Sequence, residues 1–266
     1  MSFTEETRVR AREIMARYPA GRERSALLPM LHLVQAEQGY VSPEGMAFCA
    51  EMLGITKAQV AAVATFYTMY KRRPAGDWLI SVCTNTMCGV LGGDKAFQAL
   101  SEYLGVGHDE TTGDGKITLE HAECLAACDY APVMTVNYEF FDRIDADQAL
   151  EIARQLRDDE RPQPTRGPRL CTLKEISTQL AGWADDRPGA VGEGLAGEPT
   201  LAGNRLAERF GVSVSGFDPN TPIIRRDDKG KGPGNTVPPS APKPASDRKP
   251  AGDAPVVQDT QKGAGK

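Results

Sequence analysis

Six residues in this chain can ligate a soft metal or take part in thiol chemistry: Cys49, Cys83, Cys88, Cys124, Cys128 and Cys171. Four of them form two close pairs. Cys83 and Cys88 enclose Thr84-Asn85-Thr86-Met87, a C-x4-C spacing, and Cys124 and Cys128 enclose Leu125-Ala126-Ala127, a C-x3-C spacing. Cys83 ends the apolar run Trp78-Leu79-Ile80-Ser81-Val82-Cys83, which reads as a buried strand. Cys124 follows the alternating run Lys116–His121 by three residues, and that run reads as a second strand. If those strands are parallel neighbours, four thiolates converge at one sheet edge. A 2Fe–2S cluster takes two thiolates per iron. Thr84, Asn85, Thr86, Gly89, Gly92 and Gly93 suit a tight loop that offers N–H groups to sulfur. Two other outcomes stay open on spacing alone. Structural zinc also uses four thiolates, although its pairs are usually closer to C-x2-C, and separate buried thiols are the default for any one cysteine. A thioredoxin-type dithiol needs C-x-x-C, and neither pair has that spacing.

The other candidate groups have plainer readings. Ligation by His121 would need a second histidine in place of two cysteines, so it is expected as a strand residue or a donor to the site. His32 falls in an apolar stretch and is expected in a core or an interface. His108, beside Asp109 and Glu110, is expected at the surface. Cys49, next to Phe48, reads as a small buried hydrophobe, and Cys171 is assigned nothing. Gly192-Glu193-Gly194-Leu195-Ala196-Gly197 matches G-x-G-x-x-G but follows a turn-like Asp185–Gly189 instead of a strand, which argues against a dinucleotide site. The aromatics Phe66, Tyr67 and Tyr70 fit a core or a partner-facing surface equally well. No acid–base pair or activated nucleophile is discernible, so no catalytic residue is assigned.

The elements that must position the cysteines are legible in outline. Helices are expected over Thr4–Tyr18, over Ala26–Gln38 capped by Ser25 and stopped by Gly39, from Ser42-Pro43-Glu44 to about Leu53-Gly54, and over Lys57–Ala64 capped by Thr56. After the first strand come a helix over Asp94–Leu104, the strand at Lys116–His121, a hairpin turning near Asn137, and a helix over Ala146–Arg157 capped by Asp145. Strand–helix–strand–strand–strand–helix gives a small sheet backed by helices. Thr172–Trp183 and Asn204–Arg209 are further helical candidates. Asp218–Lys266 holds nine Pro and six Gly, and only Ile223, Ile224, Val237, Val256 and Val257 as large aliphatics. Burying those five returns roughly 8–15 kcal/mol. Ordering that backbone costs on the order of 50–100 kcal/mol, so the tail is expected to be disordered unless a partner holds it.

Of the 266 residues, 31 are Lys or Arg and 36 Asp or Glu, a net charge of −5; the tail carries +3, which leaves −8 before it. That balance argues against a nucleic-acid binder. The longest uncharged run, Trp78–Gly93, is too polar for a membrane span. The acidic N-terminus lacks the pattern of a signal or transit peptide, which points to the cytoplasm and to metal or free thiols over disulfides.

Cys83–Cys88, Glu123–Cys128 and Ala131-Pro132-Val133, together with Leu53-Gly54-Ile55 and Val63–Tyr70 upstream, resemble the 24 kDa subunit family of respiratory complex I, the bacterial NADH–quinone oxidoreductases included. The resemblance spans roughly residues 10 to 157. It implies an α+β fold: an N-terminal helical bundle, then a thioredoxin-like α/β domain in which Cys83, Cys88, Cys124 and Cys128 bind one 2Fe–2S cluster. The expected division is 1–75 helical, 76–158 cluster domain, 159–217 a partly helical extension, and 218–266 the tail. The implied role is single-electron exchange with FMN on a partner flavin subunit that binds NADH. A large iron–sulfur subunit is expected as a neighbour, with peripheral placement on the cytoplasmic side of the inner membrane through the complex. The equivalent subunit of an NAD-linked hydrogenase or formate dehydrogenase is the nearest alternative, and a zinc- or thiol-stabilised non-redox adaptor is the alternative of a different class. The family often has Gly where this chain has Ala126, so a methyl group there is expected to crowd the loop or shift its potential. The tail suggests a tether across partner subunits.

Overall fold

The computed structural model describes residues 3–190 and 198–211. The G-x-G-x-x-G stretch lies outside these residues, and so does the tail from 218 onwards. The first third of the chain is helical: α1 Glu5–Ala16, α2 Leu27–Gln38, α3 Pro43–Leu53 and α4 Lys57–Phe66. Local chemistry accounts for most of the boundaries. The Ser42 side chain accepts from the Gly45 N–H with Pro43 at the first helical position, and Thr56 forms a reciprocal capping box with Gln59. Gly39 and Gly54 end α2 and α3 in the left-handed region. Ser25 does not cap α2: a 3₁₀ turn over Glu23–Ala26 runs straight into it, and Ala26 holds the cap position. The turn absorbs the backbone groups a cap would have served. Leu27, Met30, Leu31, Leu33 and Val34 of α2 bury against Ile14, Phe48, Cys49, Val60 and Tyr70 to form one core. Cys49 and His32 are buried, as expected.

Next come β1 Trp78–Cys83, α5 Thr86–Leu91, α6 Gly93–Leu104, β2 Glu110–Thr111, β3 Ile117–Ala122, β4 Val133–Val136, β5 Glu139–Asp142 and α7 Ala146–Arg157. The sheet order is β2-β3-β1-β4-β5, with β1 and β3 parallel and the other pairs antiparallel. Parallel register sets Cys83 opposite Ala122, so the loops that carry the two cysteine pairs leave the same end of the sheet. The hairpin turns on Asn137 and Tyr138, both at positive φ, which is the two-residue geometry whose twist matches the strands. The period of two divides the faces. Trp78, Ile80, Val82, Ile117, Leu119, Met134 and Val136 pack under α6 and α7. Ser81, Thr118, Glu120 and Thr135 face the other way, toward the segment after α4. There Lys71 and Glu120 form a largely buried ion pair, and the Ser81 Oγ donates to Glu120 Oε1 at 2.6 Å.

The chain after α7 returns to both cores. α8, Leu173–Leu180, is capped by Thr172 and packs on α2. It is shorter than the run to Trp183, because Ala181 and Gly182 close it. The Gln35 Nε2 donates to Ser177 Oγ at 3.2 Å, and an Arg17 N–H donates to the Ala181 carbonyl at 3.0 Å. Asn137 ties the sheet to this segment: its Oδ1 accepts from the Leu79 N–H at 2.8 Å, and its Nδ2 donates to the carbonyls of Asp77 at 2.8 Å and Cys171 at 2.7 Å. α9, Glu198–Phe210, is longer than the Asn204–Arg209 core read from sequence.

Candidate metal centre

The first cysteine loop is not irregular throughout. Cys83 is the last residue of β1, and Cys88 lies on α5, whose start is set by Asn85 accepting from the Thr86 N–H at 2.8 Å. A six-residue helix inside an uncharged, Gly-rich run leaves almost no periodic signal, which is why the sequence reads as loop. α5 ends at Gly92, in the left-handed region, and α6 starts at once. Gly93 is required at that junction: a Cβ there would stand 2.4 Å from the Cys83 carbonyl oxygen and 2.9 Å from that of Cys88. The absent side chain lets α6 press the two cysteine backbones together.

The second loop runs from β3 through Ala126, with φ of 58°, into a 3₁₀ turn at Cys128–Tyr130 and a cis Ala131–Pro132 peptide before β4. The Tyr130 and Pro132 carbonyls accept from the N–H groups of Arg143 and Ile144, both at 2.9 Å, which pins the loop to the end of β5. A direct tie joins the two loops: Asn85 Nδ2 donates to Glu123 Oε2 at 2.8 Å. The pairing of β1 with β3 also continues one step further, from the Thr84 N–H to the Ala122 carbonyl.

The four sulfurs differ in exposure. Cys83 and Cys88 are buried with Ala127 and Val133 in a small apolar cluster, walled by Leu125, Tyr130 and Phe140. Cys124 and Cys128 are exposed, with sulfurs 3.6 Å apart. Burial pushes the Cys88 thiol up to about 11, with the Cys83 thiol and the charge of Cys128 adding to the rise and the Val133 N–H opposing it. The Cys128 thiol is raised by its hydrogen bond to Cys124 and then by the charges of Cys124 and Cys83. Each pair therefore feels the other. Backbone N–H groups already point at sulfur, from Ala126 to Cys124 at 3.4 Å and from Val133 to Cys88. Such donors stabilise thiolates and tune a bound metal. Among the described residues no group of three or more His, Cys, Asp or Glu is placed to close round a single ion. Two sulfurs at each of two loops fit the donor set of a two-iron cluster, which needs a pair per iron.

His121 is an exposed strand residue whose ring lies 4.1 Å from that of His108, and its N–H donates to His108 Nδ1 at 3.2 Å. His108 is at the surface, as expected, but its ring partner was not visible in the sequence. Cys171 is buried far along the chain near Asp185, away from the two loops in sequence and in packing. Sequence reasoning named Asn85 and Gly93 as tight-loop residues and Glu123 within the family motif, but not their roles: the Asn85 cap of α5, the Asn85–Glu123 tie, and the close approach at Gly93. A Gly-Gly doublet after an apolar residue and an Asn before a short helix were the available signals. A cleft of about 820 Å³ runs from Tyr67, Tyr70 and Lys71 over the polar face of the sheet to Cys124 and Leu125.

Comparison with known proteins identifies the family. Residues 11–157 fit the family described as thioredoxin-like 2Fe–2S ferredoxin. The E subunit of NADH-quinone oxidoreductase from Mycobacterium tuberculosis is 56% identical over 201 residues, covering 76% of this chain and 79% of that one. NADH-quinone oxidoreductase subunit 2 of Thermus thermophilus is 36% identical over 139 residues, 52% of this chain and 77% of that one. Among solved structures, a NAD+-reducing NiFe hydrogenase aligns at 18% identity with a TM-score of 0.45, over 50% of this chain and 23% of that one, a likeness too distant to bear on function. The family match covers more than half of the chain and contains both cysteine loops and the strands that aim them, so the chain belongs to the thioredoxin-like 2Fe–2S ferredoxin family.

Proposed function

We propose that this chain is the electron-carrying 24 kDa-type subunit of an NADH–quinone oxidoreductase, with Cys83, Cys88, Cys124 and Cys128 holding one 2Fe–2S cluster. The single observation that carries the reading is the parallel pairing of β1 with β3, which brings the family's two cysteine loops to one edge where Asn85 and Glu123 join them. When bound, the cluster supplies reversible one-electron storage beside FMN of a partner flavin subunit, which takes electrons in pairs from NADH. The chain's own residues hold and shield. The apolar wall of Leu125, Ala127, Val133 and Phe140 keeps water from the Cys83–Cys88 side. The N–H groups of Ala126 and Val133 offset the charge of the thiolates. Raised thiols mean that loading metal must expel protons.

On the outer side, Met87, Val90 and Leu91 of α5 are exposed beside the cysteines. They suit a partner surface that would exclude water from the path of the electron. In this reading the flavin subunit docks there, a large iron–sulfur subunit lies next to it, and the chain reaches the cytoplasmic face of the inner membrane through them. Among the described residues no helix is long and apolar enough to cross a membrane. The same reading divides the chain into a helical part (1–75), the cluster domain (76–158), an extension (159–217) and the tail (218–266).

The test is iron, zinc and acid-labile sulfide on anaerobically purified protein, with EPR after reduction. Two iron and two sulfide per chain with a spin-half signal are expected. Cys124→Ser should lose or badly destabilise the cluster while the N-terminal helices stay folded. Full cluster occupancy with an unaltered spectrum in that variant defeats the ligand assignment. Zinc in place of iron moves the chain to the adaptor class.

A further inference from the structure

The outer edge of β5 is covered by a segment that lies beyond the family match. Arg166 forms an antiparallel bridge with Phe140. Beside it the Thr165 N–H donates to the Phe140 carbonyl at 2.9 Å, and the Asp142 N–H donates to Thr165 Oγ1 at 3.0 Å. The Arg166 side chain folds over two aromatic rings. Its guanidinium carbon lies 4.3 Å from the centroid of Phe140 and 5.5 Å from that of Tyr130. Those rings are the wall of the small apolar cluster that contains Cys83 and Cys88. An Arg166 N–H also donates to Asp142 Oδ1 at 2.7 Å, and the two side chains are only 11% and 7% exposed. The Arg166 Nε is buried without an acceptor.

Stability does not account for a guanidinium in this place. A buried ion pair contributes little net once desolvation is counted, and an orphaned N–H adds to the cost. Thr165 already ties the segment to β5 through its backbone and its hydroxyl, so docking does not need the charge. What the position offers is a cation held out of water beside the cysteines. We infer that Arg166 is a charge-setting residue of the metal centre: its buried cation, stacked on the rings that cover Cys83 and Cys88, holds up the reduction potential of the cluster, against the opposing carboxylate of Asp142. The inference rests on the ligand assignment proposed above. Each electron that enters a cluster adds one negative charge, so a fixed cation nearby favours the reduced form and a fixed anion the oxidised form. Burial keeps solvent and salt from screening either charge. Asp142 stands opposite Val133 in the β4–β5 ladder, and Val133 belongs to the same apolar cluster as the two cysteines. The two charges therefore act from one side of the centre with opposite signs, and each can be removed without the other. Arg143 also lies over Tyr130, at 5.3 Å, and Asp129 follows Cys128, but both are exposed and water weakens their fields.

The experiment is a redox titration of the full chain, purified anaerobically with its cluster and followed by EPR at pH 8. Arg166→Gln should lower the potential, by about tenfold in the equilibrium constant for reduction, which is about 59 mV for one electron. Asp142→Asn leaves the cation unopposed and should raise the potential by a similar factor. Arg166→Gln combined with Asp142→Asn removes both charges and should bring the potential back toward the wild type. Arg166→Lys keeps the charge without the planar fork and should stay close to the wild type. A pair that only fixed the extension would lower the melting temperature of these variants without opposed shifts in potential. Should Arg166→Gln lose its cluster, the rise in Asp142→Asn and its reversal in the double variant carry the same test. Single variants whose potentials move in the same direction, or do not move, overturn the inference. A wild-type chain that holds no iron defeats the ligand assignment instead.

Discussion

Ala126 sits in the left-handed region, with φ of 58°, inside the second cysteine loop. A β-carbon there crowds its own carbonyl and costs about 1 kcal/mol relative to glycine. This explains why glycine suits the position and shows that the methyl group acts first on the backbone. Ala126→Gly should raise the melting temperature by about 2–4 °C and leave iron content unchanged, as read by thermal scans and metal analysis of the same preparation. Gly93 is the opposite case. Gly93→Ala sets a methyl group against the Cys83 and Cys88 carbonyls, which are backbone and cannot swing away. The iron-to-protein ratio should fall well below that of the wild type while the helical core around Leu31 and Phe48 remains intact by hydrogen exchange. The cysteines were legible because spacing is a property of the chain. The need for glycine at 93 was not, because it depends on a carbonyl ten residues earlier that only the fold brings near.

Among the elements, those with strictly local causes were read most closely. Ser42, Thr56, Asp145 and Thr172 announce their helices with an oxygen that reaches a backbone N–H three residues on. α5 was missed because six residues carry no helical period, and the 3₁₀ entry to α2 was missed because Ser25 is as good a turn residue as a cap. The hairpin turn at Asn137 was legible, but the three bonds from its side chain were not, since Asp77, Leu79 and Cys171 lie far away in sequence. Those bonds join β1, the turn and the segment after α7. Asn137→Ala leaves the buried Leu79 N–H and the Cys171 carbonyl without partners, while the Asp77 carbonyl keeps the Leu173 N–H, and it replaces a residue tolerant of positive φ. The expected loss is about 2–4 kcal/mol in chemical denaturation, with protection lost at β1 and at α8 together. A loss confined to the hairpin counts against this joining role.

At the scale of the whole molecule, His32 gives the helical core a pH dependence. Desolvation lowers its pKa from the usual 6.5 to about 4, and its Nδ1 has no partner, so the folded chain holds the ring neutral. Between pH 6.5 and 4 the unfolded chain binds the additional proton. The contribution from this group is therefore complete above pH 6.5 and declines as the solution is acidified, by at most about 3 kcal/mol. In His32→Phe the fall in denaturation midpoint between pH 7 and pH 5 should shrink, and an undiminished fall assigns the acid sensitivity elsewhere. The packing of α8 on α2, with Ser177 on Gln35 and Ala181 on Arg17, shows that residues beyond the family match complete the core that His32 belongs to.

The inequality between the two cysteine pairs reaches into the life of the chain before any metal arrives. Cys124 and Cys128 stand open to water with sulfurs 3.6 Å apart, while Cys83 and Cys88 are covered. Two thiols that close can join in a disulfide. Peroxide can take two electrons and two protons from the open pair, forming a disulfide and two waters, and under the proposed ligand assignment two of the four cysteines are then lost to iron. Maturation becomes a race between iron delivery and oxidation, decided at one pair alone. In metal-free chain exposed to peroxide, peptide mapping should find Cys124 joined to Cys128 while Cys83 and Cys88 remain free thiols, and a reductant should restore the capacity to take up iron.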